Sequence, residues 1–263
     1  MLSGILSPTS GEILIDGLSP QKDRKRVVQN LGVVFGQRSQ LNWDLRLGES
    51  FELLKRIYRI DDRQYQENLA MMDAILEIHK FIHTPVRQLS LGQRMRGDLA
   101  AAMLHSPQVL FLDEPTIGLD VDGKQAIRKF VKEINRLKQT TVILTTHDLG
   151  DIQELCSRLI IISEGTIVED GSLSDLIDRI APYRILHVEL YEEAELPIHP
   201  LAEKIRQDGT AAVYRFDKKK VTAAQLIEDL SCFCKMKDFR LEEARIEDII
   251  RAAYHKKEKL EGV

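Results

Sequence analysis

The chain has 263 residues, of which 43% are apolar and 30% charged, and its formal net charge is −4. This length is enough for one sizeable hydrophobic core and a smaller appended unit. The slightly acidic balance gives no basic field, which argues against nucleic acid as the main partner. Three cysteines are too few for a disulfide framework and favour a reducing, cytosolic setting.

No stretch of the sequence reaches the ~18 consecutive apolar residues that a membrane span needs. The first residues also lack the charged-then-apolar pattern of a signal peptide. We therefore expect a soluble, cytoplasmic protein, for which any membrane role must come through docking to another chain.

Short apolar strands alternate with amphipathic helices along most of the chain, and this alternation predicts an α/β domain. Near the start, the run GEILI predicts a strand that enters a hairpin turn at Asp16-Gly17, and Glu164-Gly165 predicts a second hairpin. Three continuous apolar runs predict strands that are covered on both faces, at residues 31–35, 109–112 and 142–144.

Helices are predicted between these strands. Residues 47–88 form a helical insert after the first strand. The helix between the second and third strands has one apolar stripe at helical spacing, formed by Ile127, Phe130, Val131, Ile134 and Leu137. The segment from the second strand to the third therefore makes a β-α-β unit.

The pattern changes after about residue 179. From there we predict a strand at 186–190, a helix at 201–207, a strand at 212–216, a helix at 223–230 and a charged helix from about residue 246. This order predicts a small accessory α+β domain over residues 179–263, after a first domain over residues 1–178.

Polar side chains follow each of the three apolar strands. Gln37 follows the first strand, Asp113 and Glu114 end the second, and His147 follows the third. Ligands of open parallel sheets bind at the carboxyl ends of the strands. These residues are therefore expected to converge on one site.

A second candidate site is the start of a helix predicted over residues 93–104, directly after the run LSLGQ at 89–93. Ser90 stands where an N-cap belongs, and a helix N-terminus offers free N–H groups to an anion. Gly92 allows the backbone to approach an oxygen closely. The alternative is an ordinary helix cap, which Ser90 would satisfy equally well.

Taken together, the motifs resemble the ATP-binding cassette (ABC) family. The resemblance covers residues 1 to about 175 and rests on the order of Gln37, LSLGQ, VLFLDEPT at 109–116, GLD at 118–120 and His147. In the family these are the Q-loop, the signature, the Walker B strand, the D-loop and the H-loop. The flanking sequence is similar to the branch that serves drug and daunorubicin-type exporters.

The resemblance implies a P-loop NTPase-like cassette with a helical insert, added antiparallel strands and a small C-terminal α+β domain. It implies an ATP-hydrolysing subunit of a membrane exporter, which works as a homodimer or heterodimer of cassettes and docks onto separate transmembrane permease subunits. The docking contact would be the insert and residues 41–44. For Trp43, a buried core position is an equally open interpretation.

The resemblance also assigns roles to individual residues of this sequence. Glu114 would polarise the attacking water, and His147 would hydrogen-bond the γ-phosphate of ATP. Asp113 and Gln37 would hold Mg²⁺. Asp120 would couple the two cassettes, while Ser90, Gly92 and Gln93 would contact the ATP held by the second cassette. Leu91 stands where the family has glycine, and we expect this to weaken one backbone contact.

The family's phosphate loop, GxxxxGK[ST], occurs nowhere in the sequence. The opening residues resemble the segment of the family that comes directly after that loop. We therefore expect the loop and the family's first strand to be encoded upstream, with Met1 an internal methionine. The chain as given is then expected to bind ATP weakly.

Two other functions are possible. One is a non-catalytic, degenerate cassette that acts as a binding or regulatory module. The other is a soluble cassette acting on ribosomes or DNA, which is disfavoured because no second cassette or long insertion is present.

Overall fold

A computed structural model describes residues 1–36, 38–243, 246, 247 and 250 of the chain. The chain forms two compact units, Met1–Leu155 and Cys156–Val263. The division into domains 1–178 and 179–263 stays a prediction. Among the described residues, no helix combines the length and the apolar character that crossing a membrane requires.

The first unit is built on a parallel sheet of three strands, in the order β1-β2-β3. These are β1 (Leu31–Phe35), β2 (Val109–Asp113) and β3 (Thr141–Thr145), and they confirm the three predicted strands. The helices of this unit are α1 (Arg24–Gln29), α2 (Leu47–Tyr58), α3 (Asp62–Leu76), α4 (Leu91–Met103), α5 (Val121–Lys138) and α6 (Leu149–Leu155). Two 3₁₀ turns, Ile78–Lys80 and Val86–Gln88, complete the predicted helical insert.

One hydrophobic core holds the sheet and these helices together. Leu110 and Leu112 of β2 alternate into it, and α5 buries the predicted stripe from Ile127 to Ile134, although Leu137 at its end is exposed. Helix α4 contributes an unbroken buried run from Gly97 to Met103. This run makes α4 the central helix, packed between the insert and the sheet.

The first predicted hairpin forms only in part. Asp16 and Gly17 both have positive φ, 51° and 72°, as a tight hairpin turn requires. The predicted strand GEILI before the turn is wrong. Of the five residues of this run, only Ile15 forms a β-bridge, to Leu18. A strand needs a partner along its length, and Leu14 is instead 56% exposed.

The second unit begins with the hairpin predicted at Glu164-Gly165, which is confirmed. Strands β4 (Arg158–Ser163) and β5 (Thr166–Ser172) pair antiparallel, and the two turn residues have φ of 49° and 76°. Helix α7 (Leu173–Ile180) comes next, with Ser172 as its N-cap.

The rest of the second unit is an antiparallel sheet of four strands, in the order β7-β8-β6-β9, with helix α8 (Ala223–Ser231). The strands are β6 (Tyr183–Leu190), β7 (Ala202–Asp208), β8 (Ala211–Asp217) and β9 (Met236–Glu243). Side chains of β6 and β8 pack with Leu226 and Leu230 of α8 in a separate core.

The helix predicted at 201–207 is wrong, because this segment is strand β7. Its residues are good helix formers, but intrinsic propensity is a weak preference that tertiary pairing overrides. Here β7 pairs antiparallel with β8 from Ala202↔Phe216 to Asp208↔Ala211. The charged helix predicted from about residue 246 falls mostly on residues outside those that the structure describes.

Candidate functional site

The carboxyl ends of the three parallel strands lie side by side. Their register aligns Phe35, Asp113 and Thr145. The backbone N–H of Gly36 donates to the carbonyl oxygen of Asp113 at 2.7 Å, and the N–H of Glu114 donates to the carbonyl oxygen of Thr145 at 3.0 Å. The residues after the strands are therefore brought to one edge of the sheet. Gln37 itself lies outside the described residues.

Gly36 is fixed by close packing at this edge. A β-carbon at its position would lie 2.3 Å from the carbonyl oxygen of Glu114, a distance that no real side chain tolerates. Glu114 in turn has a φ of 51°, which is uncommon for a residue other than glycine. The backbone at the end of β2 therefore packs directly against Gly36, the first residue after β1.

Asp113 presents an exposed carboxylate at the end of β2. Its Oδ1 accepts a hydrogen bond of 2.6 Å from the hydroxyl of Thr145. Sequence reasoning gave Thr145 no role, although its place at the end of the third apolar strand was the available signal. The described residues contain no cluster of three or more His, Cys, Asp or Glu able to hold a metal. Mg²⁺ commonly uses only one or two carboxylates together with phosphate oxygens and water, so Asp113 fits that part of a Mg²⁺ site.

Glu114 and His147 form an ion pair at the same edge. The Nδ1 of His147 lies 2.9 Å from Oε2 of Glu114. The hydrogen bond and the negative charge of Glu114 raise the pKa of His147 above its ordinary value. The imidazole is 72% exposed, so the pair is open to a ligand from solution.

The predicted cap at the start of α4 is confirmed. Ser90 accepts a hydrogen bond of 3.2 Å from the N–H of Gln93, and the Gln93 side chain accepts one of 3.0 Å from the N–H of Ser90. This reciprocal capping box satisfies the helix end without any ligand. Gly92, between them, is partly exposed.

The start of α4 lies against the GLD segment of the same chain. A β-carbon at Gly118, whose φ is 72°, would lie 3.2 Å from Cδ2 of Leu91. A glycine at position 91, as in the family pattern, would have no side chain next to Gly118. Asp120, two residues further on, is the N-cap of α5, and its Oδ1 accepts a hydrogen bond of 2.7 Å from the N–H of Gly123.

A buried polar network lies beside the site, and sequence reasoning missed it. Asp151 is fully buried and accepts hydrogen bonds from Thr116, Thr146 and Arg128 at 2.6, 3.0 and 2.7 Å. Thr116 follows Glu114 closely and Thr146 precedes His147, so Asp151 joins the two segments that carry the ion pair. Thr116 and Asp151 are 35 residues apart, and no local pattern links them.

Arg128 extends this network along α5. Besides Asp151, its guanidinium contacts Asp148 at 3.1 Å and Glu154 at 3.0 Å. The hydrogen bond with Asp151 is the main cause that raises the pKa of Arg128. Lys124 also hydrogen-bonds Asp148 and lowers the pKa of that carboxyl. The segment around His147 is thus held from the side of α5.

A separate open cleft of about 610 Å³ lies in the helical insert, between α2 and α3. Its lining mixes aliphatic and charged side chains, including Leu45, Arg46, Leu53, Arg56, Leu69 and His83. Trp43 is 55% exposed, so the interpretation of this residue as a buried core aromatic is wrong.

Comparison with known proteins places this geometry in a family. Residues 1–117 match the model of the ABC transporter family. The ABC transporter ATP-binding protein NatA of Bacillus subtilis is 27% identical over 178 residues, which are 68% of this chain and 72% of NatA. The daunorubicin resistance ATP-binding protein DrrA3 of Streptomyces coeruleorubidus is 33% identical over 179 residues, which are 67% of this chain and 55% of that protein.

A solved structure shares the fold. The ATP-binding cassette MJ0796, in a dimeric post-hydrolysis state bound to ADP and Pi, superposes with a TM-score of 0.57 and 26% identity, over 65% of this chain and 77% of that one. The strand order, the motifs at the carboxyl edge of the sheet and these relatives agree. The chain therefore belongs to the ABC transporter family as an ATP-binding cassette of the ABC-type ATPases, homologous to drug-exporter ATP-binding subunits.

Proposed function

We propose that this cassette hydrolyses ATP to drive a membrane exporter, working as one of two cassettes docked to separate transmembrane permease subunits. The observation that carries the proposal is the Glu114–His147 pair, 2.9 Å apart, beside Asp113 at the carboxyl edge of the parallel sheet. A non-catalytic cassette would need neither the carboxylate nor the imidazole at this edge, so the degenerate-module alternative is not favoured.

Each residue at the edge has a distinct task in this proposal. Glu114 orients and polarises the attacking water, and His147 donates a hydrogen bond to the γ-phosphate. Asp113, oriented by Thr145, would hold the Mg²⁺ that accompanies ATP, and Gln37, which lies outside the described residues, would be its second ligand. The ion would supply charge neutralisation on the phosphates, which is what phosphoryl transfer mainly requires besides positioning.

A second cassette would complete the site. The N-terminus of α4 carries Ser90, Gly92 and Gln93, and its partial positive charge suits the γ-phosphate of an ATP bound by the other cassette. Asp120, exposed at the start of α5, would couple the two cassettes. The dimeric state of the similar cassette bound to ADP and Pi supports a pair.

The permease contact is proposed at the insert. Leu53 (44% exposed) lines the cleft between α2 and α3, Ile57 (62%) is exposed four residues further along α2, and Trp43 is exposed on the loop that precedes α2. A short amphipathic helix of a permease would bury such side chains. The cassette would then lie on the inner face of the membrane, with residues 1–178 as its catalytic domain and 179–263 as an accessory domain.

The catalytic proposal is tested by hydrolysis of MgATP. The gene is expressed from the longest open reading frame that contains this chain, and hydrolysis by the wild-type protein is measured first. We expect Glu114→Gln to lower kcat about 10²–10⁴-fold, because it removes the general base, and to leave ATP binding intact. Hydrolysis at the wild-type rate in Glu114→Gln would contradict the role of Glu114. Absence of hydrolysis in the wild-type protein would favour the degenerate module.

The docking proposal is tested by Trp43→Ala. We expect this variant to hydrolyse ATP but to lose its coupling to transport in vesicles that contain the permease. A matched control is Tyr191→Ala, which removes an aromatic side chain of similar exposure (66%) in the second unit. Unchanged transport in Trp43→Ala counts against the docking role.

A further inference from the structure

Asp98 of α4 is a buried carboxylate that the proposed chemistry does not use. It is 3% exposed and has no salt bridge among the described residues. Its Oδ1 accepts a hydrogen bond of 2.9 Å from the hydroxyl of Ser39 and one of 3.1 Å from the backbone N–H of Gln40. The side-chain amide of Gln40 donates back to the carbonyl oxygen of Asp98 at 3.2 Å. Three hydrogen bonds thus join one helical residue to two consecutive loop residues.

The same face of α4 makes two more contacts with this loop. Residues 94, 97 and 98 share a face, because they are three and four positions apart on the helix. The guanidinium of Arg94 lies 5.8 Å from the ring centroid of Trp43. A β-carbon at Gly97 would lie 3.2 Å from Cδ1 of Leu41, so the side chain of this loop residue packs closely against the helix. The loop from Ser39 to Trp43 is therefore held along one face of α4.

Filling space does not require a carboxylate at position 98. An aliphatic side chain would occupy the volume without the cost of desolvating a charge, and burial does raise the pKa of Asp98 to about 6. Such a side chain could not accept hydrogen bonds from Ser39 and Gln40. What the carboxylate adds is a specific attachment for the loop.

We propose that Asp98 is a positioning residue that clamps the loop Ser39–Trp43, just after Gln37, to the helix that begins at Ser90. The clamp makes the loop next to Gln37 and the signature helix move as one body. Its importance for hydrolysis rests on the proposed function, which places Gln37 at one ATP and Ser90 at the ATP of the other cassette. The clamp itself is a property of this chain alone.

The test measures loop attachment without nucleotide. Amide hydrogen exchange of Gln40 reports its bond to Asp98, and Trp43, the only tryptophan, reports loop mobility through its fluorescence anisotropy. We expect Asp98→Ala to speed exchange at Gln40 at least about tenfold, because it removes a hydrogen bond to a charged acceptor, and to lower the anisotropy. Asp98→Asn keeps an acceptor oxygen and is expected to restore both signals.

Met103→Ala is the control for general destabilisation. Met103 is equally buried in α4 but lies away from the face that carries Arg94 and Asp98. It should lose stability and leave both signals unchanged. The proposal is overturned by unchanged exchange at Gln40 in Asp98→Ala, by failure of Asp98→Asn to restore it, or by an equal change in Met103→Ala. Because no ATP is present, none of these results bears on the proposed hydrolysis, which the Glu114→Gln assay tests separately.

Discussion

The imidazole Nδ1 of His147 lies 2.9 Å from the Oε2 of Glu114, although the two residues follow different strands of the sheet. The parallel register of β2 and β3 creates this contact, because Asp113 and Thr145 are aligned and the next residues leave the sheet together. The two side chains to which the proposed function assigns the water and the phosphate are thus paired with each other by the fold.

The first prediction concerns the pKa of His147. Glu114 stabilises the protonated imidazole, so we expect Glu114→Gln to lower the pKa of His147 towards its ordinary value. In linkage terms, the raised folded-state pKa gives a contribution to stability that is present below the unfolded pKa and is lost as the pH rises through the folded pKa. NMR titration of the His147 ring in the two proteins measures the shift. Glu203→Gln, in the second unit, is the control, and an unshifted His147 in Glu114→Gln would refute the pairing.

The second prediction concerns the buried network. Asp151→Ala leaves the guanidinium of Arg128, which is only 14% exposed, without its most buried partner. Removing one partner of a buried ion pair lowers the free energy of unfolding by about 3–5 kcal/mol. We expect a loss at the lower end of this range, because Arg128 keeps its contacts with Asp148 and Glu154. Urea unfolding followed by Trp43 fluorescence measures the first unit. Glu67→Ala, which removes an exposed pair with Arg63, should cost no more than about 0.5 kcal/mol. Equal losses in the two variants would show that the network is unimportant.

The third prediction concerns the close approach at Gly36. Gly36→Ala must displace the backbone at Glu114, because the new β-carbon would lie 2.3 Å from its carbonyl oxygen. We expect a loss of about 1–3 kcal/mol from overpacking, together with a lower pKa of His147 as Glu114 moves. Gly92→Ala is the stability control, since its β-carbon would meet only Leu119, at 4.0 Å. A Gly36→Ala variant that matches Gly92→Ala in stability and keeps the wild-type pKa of His147 would contradict this packing.

The fourth prediction concerns the pH dependence of stability at Asp98. The folded-state pKa of about 6 lies above the ordinary value of 3.8, mainly through burial, while Ser39, Gln40 and Arg94 act in the opposite direction. The folded chain therefore holds this proton more tightly, and its stability falls as the pH rises from about 4 to about 6. We expect Asp98→Asn to remove the part of this fall that Asp98 causes. At pH 8 the free energy of unfolding of the variant should be higher by up to about 3 kcal/mol, because a shift of two pKa units corresponds to about that free energy. Parallel pH profiles for the two proteins, measured by urea unfolding, would show that burial imposes no such cost.

Local patterns in the sequence predicted most of the elements. The three apolar runs became β1, β2 and β3, the stripe from Ile127 became α5, and Ser90 capped α4 with Gln93. These features depend on residues that are near each other in the chain. Segment 202–208 did not follow its helix-forming composition, because it pairs with the edge of β8. The run GEILI did not become a strand, because it has no pairing partner along its length.

By itself, the sequence determined the family, the three parallel strands and the polar residues that end them, since each of these features is contained in a short stretch of chain. Only the tertiary structure decided which polar groups meet. Thr145 bonds Asp113 because of sheet register, Asp151 binds Thr116 across 35 residues, and Asp98 binds Ser39 across 59. The physical reason is that a hydrogen bond acts only over about 3 Å, and which distant groups come that close is set by how the helices and the sheet pack.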